Sequence, residues 1–92
     1  MTNVTLTPAR TMRHTTKRQL EILAFIAGCV DGQGYPPTIR EILRHCGLTS
    51  TSGVAAHLNR LAERGLIVRN PMISRGVAVT PAGRALLAEA SA

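Results

Sequence analysis

Two apolar stripes of helical period, separated by only a few residues, constrain this chain more than any other feature. The first begins at Thr38, which follows Pro36-Pro37 and stands three residues before Glu41. That is a capping box: the threonine hydroxyl accepts a free backbone N–H at the helix start, and the glutamate reaches back to the cap. Ile39, Ile42 and Leu43 then fall at spacings of three and four and make one apolar face. Gly47 can take the left-handed conformation that ends a helix. The second stripe is Val54, Leu58 and Leu61, with Ser50 or Thr51 as its cap and Gly65 as its stop. The link between them, Gly47 to Thr51, is so short that the second helix must cross the first steeply. This is the pattern of a helix-turn-helix.

The outer face of the second helix is built from small or polar residues: Ser52, Gly53, Ala55, Ala56 and Asn59, with Arg60 and Arg64 after them. With the hydroxyls of Ser50 and Thr51 at its start, such a helix can approach another surface closely. Against DNA, its N-terminal amides and hydroxyls can meet phosphates and base edges. The plainer reading is a solvated helix face, which is the commoner fate of such residues.

Charge bears on the choice between those two. The chain has 92 residues, enough for one domain with one modest core. It carries 11 Lys+Arg against 5 Asp+Glu, a net charge of +6, which favours a polyanionic partner. All of these basic residues but Lys17 are arginine, the side chain suited to bidentate phosphate or guanine contacts. Aromatic residues make up 2% of the chain, Phe25 and Tyr35 alone, which argues against single-strand binders that need stacking platforms. Cys29 and Cys46 fall inside helical stretches and read as buried small hydrophobes in a reducing cytoplasm. No apolar run reaches membrane-spanning length, so no membrane partner is expected.

Along the chain, residues 1–14 read as a flexible basic arm carrying Arg10 and Arg13. Thr16 and Gln19 form a second capping box. Ile22, Phe25, Ile26, Cys29 and Val30, broadened by Leu23, make the core stripe of a first helix. Lys17 and Arg18 sit in its first turn, against the helix dipole, either near phosphates or simply solvated. Asp31 to Pro37 reads as a loop whose glycines end the first helix, and it leads to the helix-turn-helix, where Arg40 and Arg44 lie four apart as candidate phosphate contacts or ordinary solvated charges. After Gly65 the period changes to that of strands: Leu66-Ile67-Val68, then Val77 and Val79. The expected hairpin has at most about five residues per strand and must pack on the helices to persist. Arg69 and Arg75 flank its loop, and Gly76 permits a close backbone approach or a bulge. Met72 and Ile73 occupy the tip. Thr80-Pro81 opens a last short helix with Leu86 and Leu87, which packs back on the body or pairs two copies weakly.

The fold class is therefore mainly α with a small β-hairpin: a winged helix-turn-helix over residues 15–80, with residues 81–92 as a short C-terminal helix. Residues Gly34-Tyr35-Pro36-Pro37-Thr38, Glu41-Ile42, Gly47, His57-Leu58, Leu61, Gly65 and Ser74-Arg75-Gly76 carry a resemblance to the DNA-binding domain of LexA-type repressors. The resemblance runs from about Thr16 to Val79. It implies that the third helix enters the major groove, with Ser50, Ser52, Gly53, Ala55 and Ala56 facing the bases, and that the wing reaches the minor groove or the backbone. The family's asparagine is replaced by Ser52 and its pair of glutamates by Ala55 and Ala56, so a different operator is expected. Arg75 and Gly76 match the family's wing. The family's self-cleaving, dimerising second domain has no counterpart up to Ala92, so neither self-cleavage nor that dimer interface is expected.

No catalytic residues, cofactor or metal site are expected. His14, His45 and His57 have no nucleophile or carboxylate at sensible spacing, and no glycine-rich phosphate loop is present. The candidate DNA contacts are Ser50, Thr51, Ser52, Gly53, Ala55, Ala56, Asn59, Arg60, Arg40, Arg69, Arg75 and Gly76. The expected activity is sequence-specific regulation of transcription, most simply repression, on double-stranded DNA in the cytoplasm at the nucleoid. The protein would act as a weak homodimer or beside a second protein. Two alternatives stand beside it: an adapter or anti-repressor that holds a protein, and an architectural binder blind to sequence.

Overall fold

The computed structural model describes residues 15–91. The basic arm assigned to residues 1–14 lies outside them. The order is α1 (Lys17–Gln33), α2 (Ile39–Cys46), α3 (Thr51–Glu63), β1 (Ile67–Arg69), β2 (Val77–Val79) and α4 (Pro81–Ser91). Both capping boxes form. Thr16 Oγ1 accepts the Gln19 N–H at 3.1 Å and Gln19 Oε1 accepts the Thr16 N–H at 3.3 Å. Thr38 and Glu41 repeat the exchange at 3.1 and 3.0 Å. Of the two candidates for the α3 cap, Ser50 fills the role, its Oγ accepting the Gly53 N–H at 3.2 Å.

The two helices of the motif end in the same way. Gly47 and Gly65 take positive φ, 68° and 74°, where a Cβ would be strained. The next residue then turns back: Leu48 N–H reaches the Leu43 carbonyl and Leu66 N–H the Leu61 carbonyl, each at 3.0 Å. This closure satisfies carbonyls left over at the helix end and folds a leucine under it. Leu66 is buried and Leu48 packs against the core. A Gly-Leu pair thus stops each helix and starts the next packing contact.

The hairpin pairs Ile67 with Val79, Val68 with Ala78 and Arg69 with Val77. Each strand has three residues, shorter than the five allowed by the sequence. The Asn70–Gly76 turn consumes the difference, closing with Asn70 N–H to Gly76 O at 2.6 Å. Ile67 and Val77 point into the core, whereas Val68 and Ala78 face out.

The core comprises Ile22, Leu23 and Ile26 of α1, Ile42 and Cys46 of α2, Val54, Leu58 and Leu61 of α3, Leu66, Ile67 and Val77 around the hairpin, and Leu86 of α4. Here α1 departs from expectation in length and in face: Asp31, Gly32 and Gln33, read from the sequence as loop, carry the helix on to its cap at Gly34. Its buried face is Gln19, Ile22, Leu23, Ile26 and Ala27, whereas Phe25, Cys29 and Val30 are only half-buried. The reason is that α1 touches α2, α3, α4 and β2, so its contact face centres on Leu23 and Ile26. Phe25 is left at the edge, stacked on His45 with ring centroids 4.0 Å apart and planes 9° from parallel. Cys46 is buried as expected. α4 packs back on the body, through Leu86 and a bidentate Arg84–Asp31 pair to α1 at 2.8 and 2.9 Å.

Candidate nucleic-acid interface

The outward face of α3 follows from its inward one. Val54, Leu58 and Leu61 are buried, so the residues between them turn outward. Thr51, Ser52, Ala56, Asn59 and Arg60 are exposed, and Gly53 and Ala55 half-buried. From Ser50 to Ala56 no outward side chain is longer than threonine. Ser50 and Ser52 hydroxyls lie 2.8 Å apart. Ser50 Oγ also takes the Gly53 N–H, so the cap and the serine pair together fix where both hydroxyls sit. An added Cβ on Gly53 would meet only Ser50 Oγ, at 3.9 Å. Packing within the protein therefore does not demand glycine there.

The charges sort into two groups. Three arginines form ion pairs among the described residues. Arg18 bonds the Cys46 carbonyl at the end of α2 and pairs with Glu21 at 3.4 Å. Arg84 ties α4 to α1. Arg75 is the third: it grips Glu41 with two bonds, 2.9 and 3.2 Å, donates to the Pro36 carbonyl at 2.7 Å, and lies 4.7 Å above the Tyr35 ring. By contrast, Arg40, Arg44 and Arg60 form no ion pair among the described residues. Arg40 lines a shallow cleft beside Pro71, Ile73 and Ser74 of the wing loop. These three arginines stand on α2 and α3, with Arg40 on the side of the wing loop.

Several candidate contacts acquire intramolecular occupations that the sequence did not reveal. The first is Arg75, which clamps the wing to the start of α2. The Arg75 guanidinium, with the Thr38 N–H behind it, holds the Glu41 carboxyl below the usual carboxylate range, and Glu41 in turn raises Arg75. Arg84 lowers Asp31 in the same way. A carboxylate with a depressed folded-state pKa contributes stability above its unfolded pKa and loses it as pH falls through the folded one. The wing clamp and the α4 tie should therefore loosen on acidification below the ordinary carboxylate range. Glu41→Gln keeps a residue able to complete the capping box but drops the charge. In acid titrations followed by thermal melting it should flatten the pH dependence. If Arg75 acts by clamping, Glu41→Gln and Arg75→Ala should weaken DNA binding alike; if the guanidinium instead holds a phosphate, freeing it by Glu41→Gln should strengthen binding.

The second is Gly76. A Cβ there would sit 2.3 Å from the Asn70 carbonyl oxygen and 2.9 Å from that of Ile73. The close approach it permits is to the wing's own turn. Asn70 shapes that turn further by accepting the Met72 N–H on its side chain at 3.0 Å; the Asn-Pro dipeptide is the sequence signal for it. Gly76→Ala should cost about 1–3 kcal/mol, as overpacking does. The loss should appear as faster amide exchange across Ile67–Val79 than across α1.

Among the remaining candidates, Arg69 at the end of β1 donates to Asn59 Oδ1 of α3 at 2.7 Å, so the fold brings these two together. Arg64 leaves the outward face and donates to Gln19 of α1 at 2.9 Å. His57 is half-buried beside the core. Among the described residues there is no group of three or more His, Cys, Asp or Glu placed to hold a metal ion, and no helix long and apolar enough to cross a membrane.

Residues 12–76 match the family model for the LexA DNA binding domain. The chain is 45% identical over 75 residues to the LexA repressor of Limosilactobacillus fermentum, covering 82% of this chain and 36% of that protein. It is 49% identical over 69 residues to LexA repressor 2 of Geobacter sulfurreducens, covering 75% and 34%. For the LexA repressor of Enterococcus faecalis the identity is 48% over 71 residues, covering 77% and 34%. The chain thus spans about a third of the length of the curated relatives it matches. In three dimensions it resembles the crystal structure of a MarR-family transcriptional regulator from a Rhodococcus species, with a TM-score of 0.70 and 26% identity over 90% of this chain and 58% of that one.

Proposed function

The chain belongs to the LexA DNA-binding domain family, and from that premise we propose that it is a repressor module that reads double-stranded DNA in a sequence-specific way. α3 enters the major groove. Ser50, Thr51, Ser52, Gly53, Ala55 and Ala56 approach base edges, while Asn59, Arg60 and Arg40 flank them. The wing lies on the adjacent backbone or minor groove, positioned by Arg75. The observation that carries this reading is the outward face of α3: short side chains over its first two turns, followed by Arg60, which is exposed and forms no ion pair among the described residues. A solvated helix has no need of so bare a face, and Gly53 costs helix propensity without relieving any clash.

Short side chains discriminate by fit. An alanine methyl meets a thymine methyl, and a serine hydroxyl adapts to donor or acceptor. Part of the specificity then comes from DNA shape. A single module of this size binds modestly, so occupancy of an operator calls for a second copy or a partner protein. The module regulates by binding, without chemistry of its own.

Selection from a random duplex pool at several protein concentrations tests this. An enriched motif is expected, and its half-site symmetry reports stoichiometry. Uniform binding with a steep salt slope would replace it with an architectural role, and no binding at low salt with a protein-holding role.

A further inference from the structure

Asn59 stands on the same outward stripe as Ser52 and Ala56, at helical spacings of four and three. Its side-chain oxygen is taken by Arg69 Nη1 at 2.7 Å. A guanidinium only donates, so the atom facing it must be Oδ1, and the usual ambiguity of an amide's orientation is removed. The Nδ2 group is left for an external partner. Arg69 is not free to wander: it ends β1 opposite Val77, is half-buried, and lines the small cavity beneath the wing loop with Leu58, Asn70 and Ile73.

Resting on the DNA reading above, we propose that Arg69 is a positioning residue that biases Asn59 toward donating, so that the Asn59 amide prefers guanine to adenine. An asparagine recognises adenine by accepting from N6 and donating to N7 at once; guanine offers only acceptors, N7 and O6, on its major-groove edge. Oδ1 keeps a second lone pair, but with one taken by a cationic guanidinium it is a poorer acceptor for adenine N6–H, whereas the guanine pattern needs only the Nδ2 donors. The neighbouring positive charge also polarises the amide and strengthens its N–H donors.

The test compares motifs selected from random duplexes by the wild type, N59A and R69M. Methionine keeps an apolar stem under the wing but donates nothing. In the wild type, one motif position should favour guanine over adenine by roughly tenfold or more. N59A, an exposed truncation, should relax that position alone. R69M should shift it toward adenine, and adding R69M to N59A should change it no further. A uniform loss of affinity on replacing Arg69 is expected from its charge and is separable, because it leaves base preference untouched. The inference is overturned by adenine at the Asn59-dependent position in the wild type, by an R69M motif identical to the wild type's, or by N59A weakening all sequences equally. A wild type that selects no motif at all removes the DNA reading itself, and this inference with it.

Discussion

Gly83→Ala will lower the melting temperature, although the same exchange at Gly28 will raise it. Both glycines sit inside helices, where alanine is ordinarily worth up to about 1 kcal/mol through reduced unfolded-state entropy and better propensity. Their surroundings differ. An added Cβ at Gly28 meets nothing within 4 Å. At Gly83 it would lie 2.3 Å from the Leu66 carbonyl oxygen and 2.8 Å from Val79 Cγ1. Leu66 O cannot move aside, because it accepts the Thr80 N–H at 3.1 Å. Thr80 is itself pinned: its hydroxyl donates to the Gly65 carbonyl at 2.6 Å and accepts the Gly83 N–H at 3.1 Å. The clash is with backbone held from both sides, so α4 must shift off the hairpin and Leu86 with it. Overpacking costs about 1–3 kcal/mol, and in a domain this small each kcal/mol moves the midpoint by roughly 4–8 °C. Thermal melts of the two variants should diverge in sign. A Gly83→Ala protein as stable as the wild type would mean that α4 is not docked as described.

Ala56→Glu will leave the fold intact and destroy recognition of the selected sites. Ala56 is exposed on α3, and a glutamate there is a good helix former that can pair with Arg60 one turn on. Melting should therefore be unchanged or slightly improved. In the groove the same side chain would bring a charge and its longer carboxylate-bearing stem where the face is otherwise bare. A poorly fitted base-facing position typically costs about 1–3 kcal/mol, so affinity for the wild type's own motif should fall by roughly 10–100-fold. A fresh selection should return a different motif, because glutamate accepts from cytosine N4 where alanine could not. An Ala56→Glu protein binding the original motif undiminished would mean that another face of the molecule meets the DNA.

The two variants also mark where sequence reading succeeds and where it stops. The outward position of Ala56 follows from the spacing of Val54, Leu58 and Leu61 alone, and α3 obeys it. Nothing near Gly83 in the sequence announces a clash, since its obstacles come from Leu66 and Val79. The same contrast holds elsewhere. Thr16 with Gln19 and Thr38 with Glu41 were legible because a capping box closes within one turn. The partners of Arg75 and Arg84 were not, because Glu41 and Asp31 lie 34 and 53 residues away. Arg75 consequently reads from the sequence as a free wing cation, whereas the fold commits it to Glu41. α1 was partly legible: its period was right, but which sector faced inward depended on four neighbours rather than one.

The sequence by itself determined the helix starts, the turn between α2 and α3, the place of the hairpin and the bare face of α3. All of these arise from contacts within a turn or two of the chain, where residue identity and spacing fix the geometry. Only the tertiary structure decided which arginines are spent internally and which remain open, why Gly76 and Gly83 must lack a side chain, and that Asn59 and Arg69 meet. Those outcomes depend on distances between segments remote in sequence, and such distances are set by how the whole core packs.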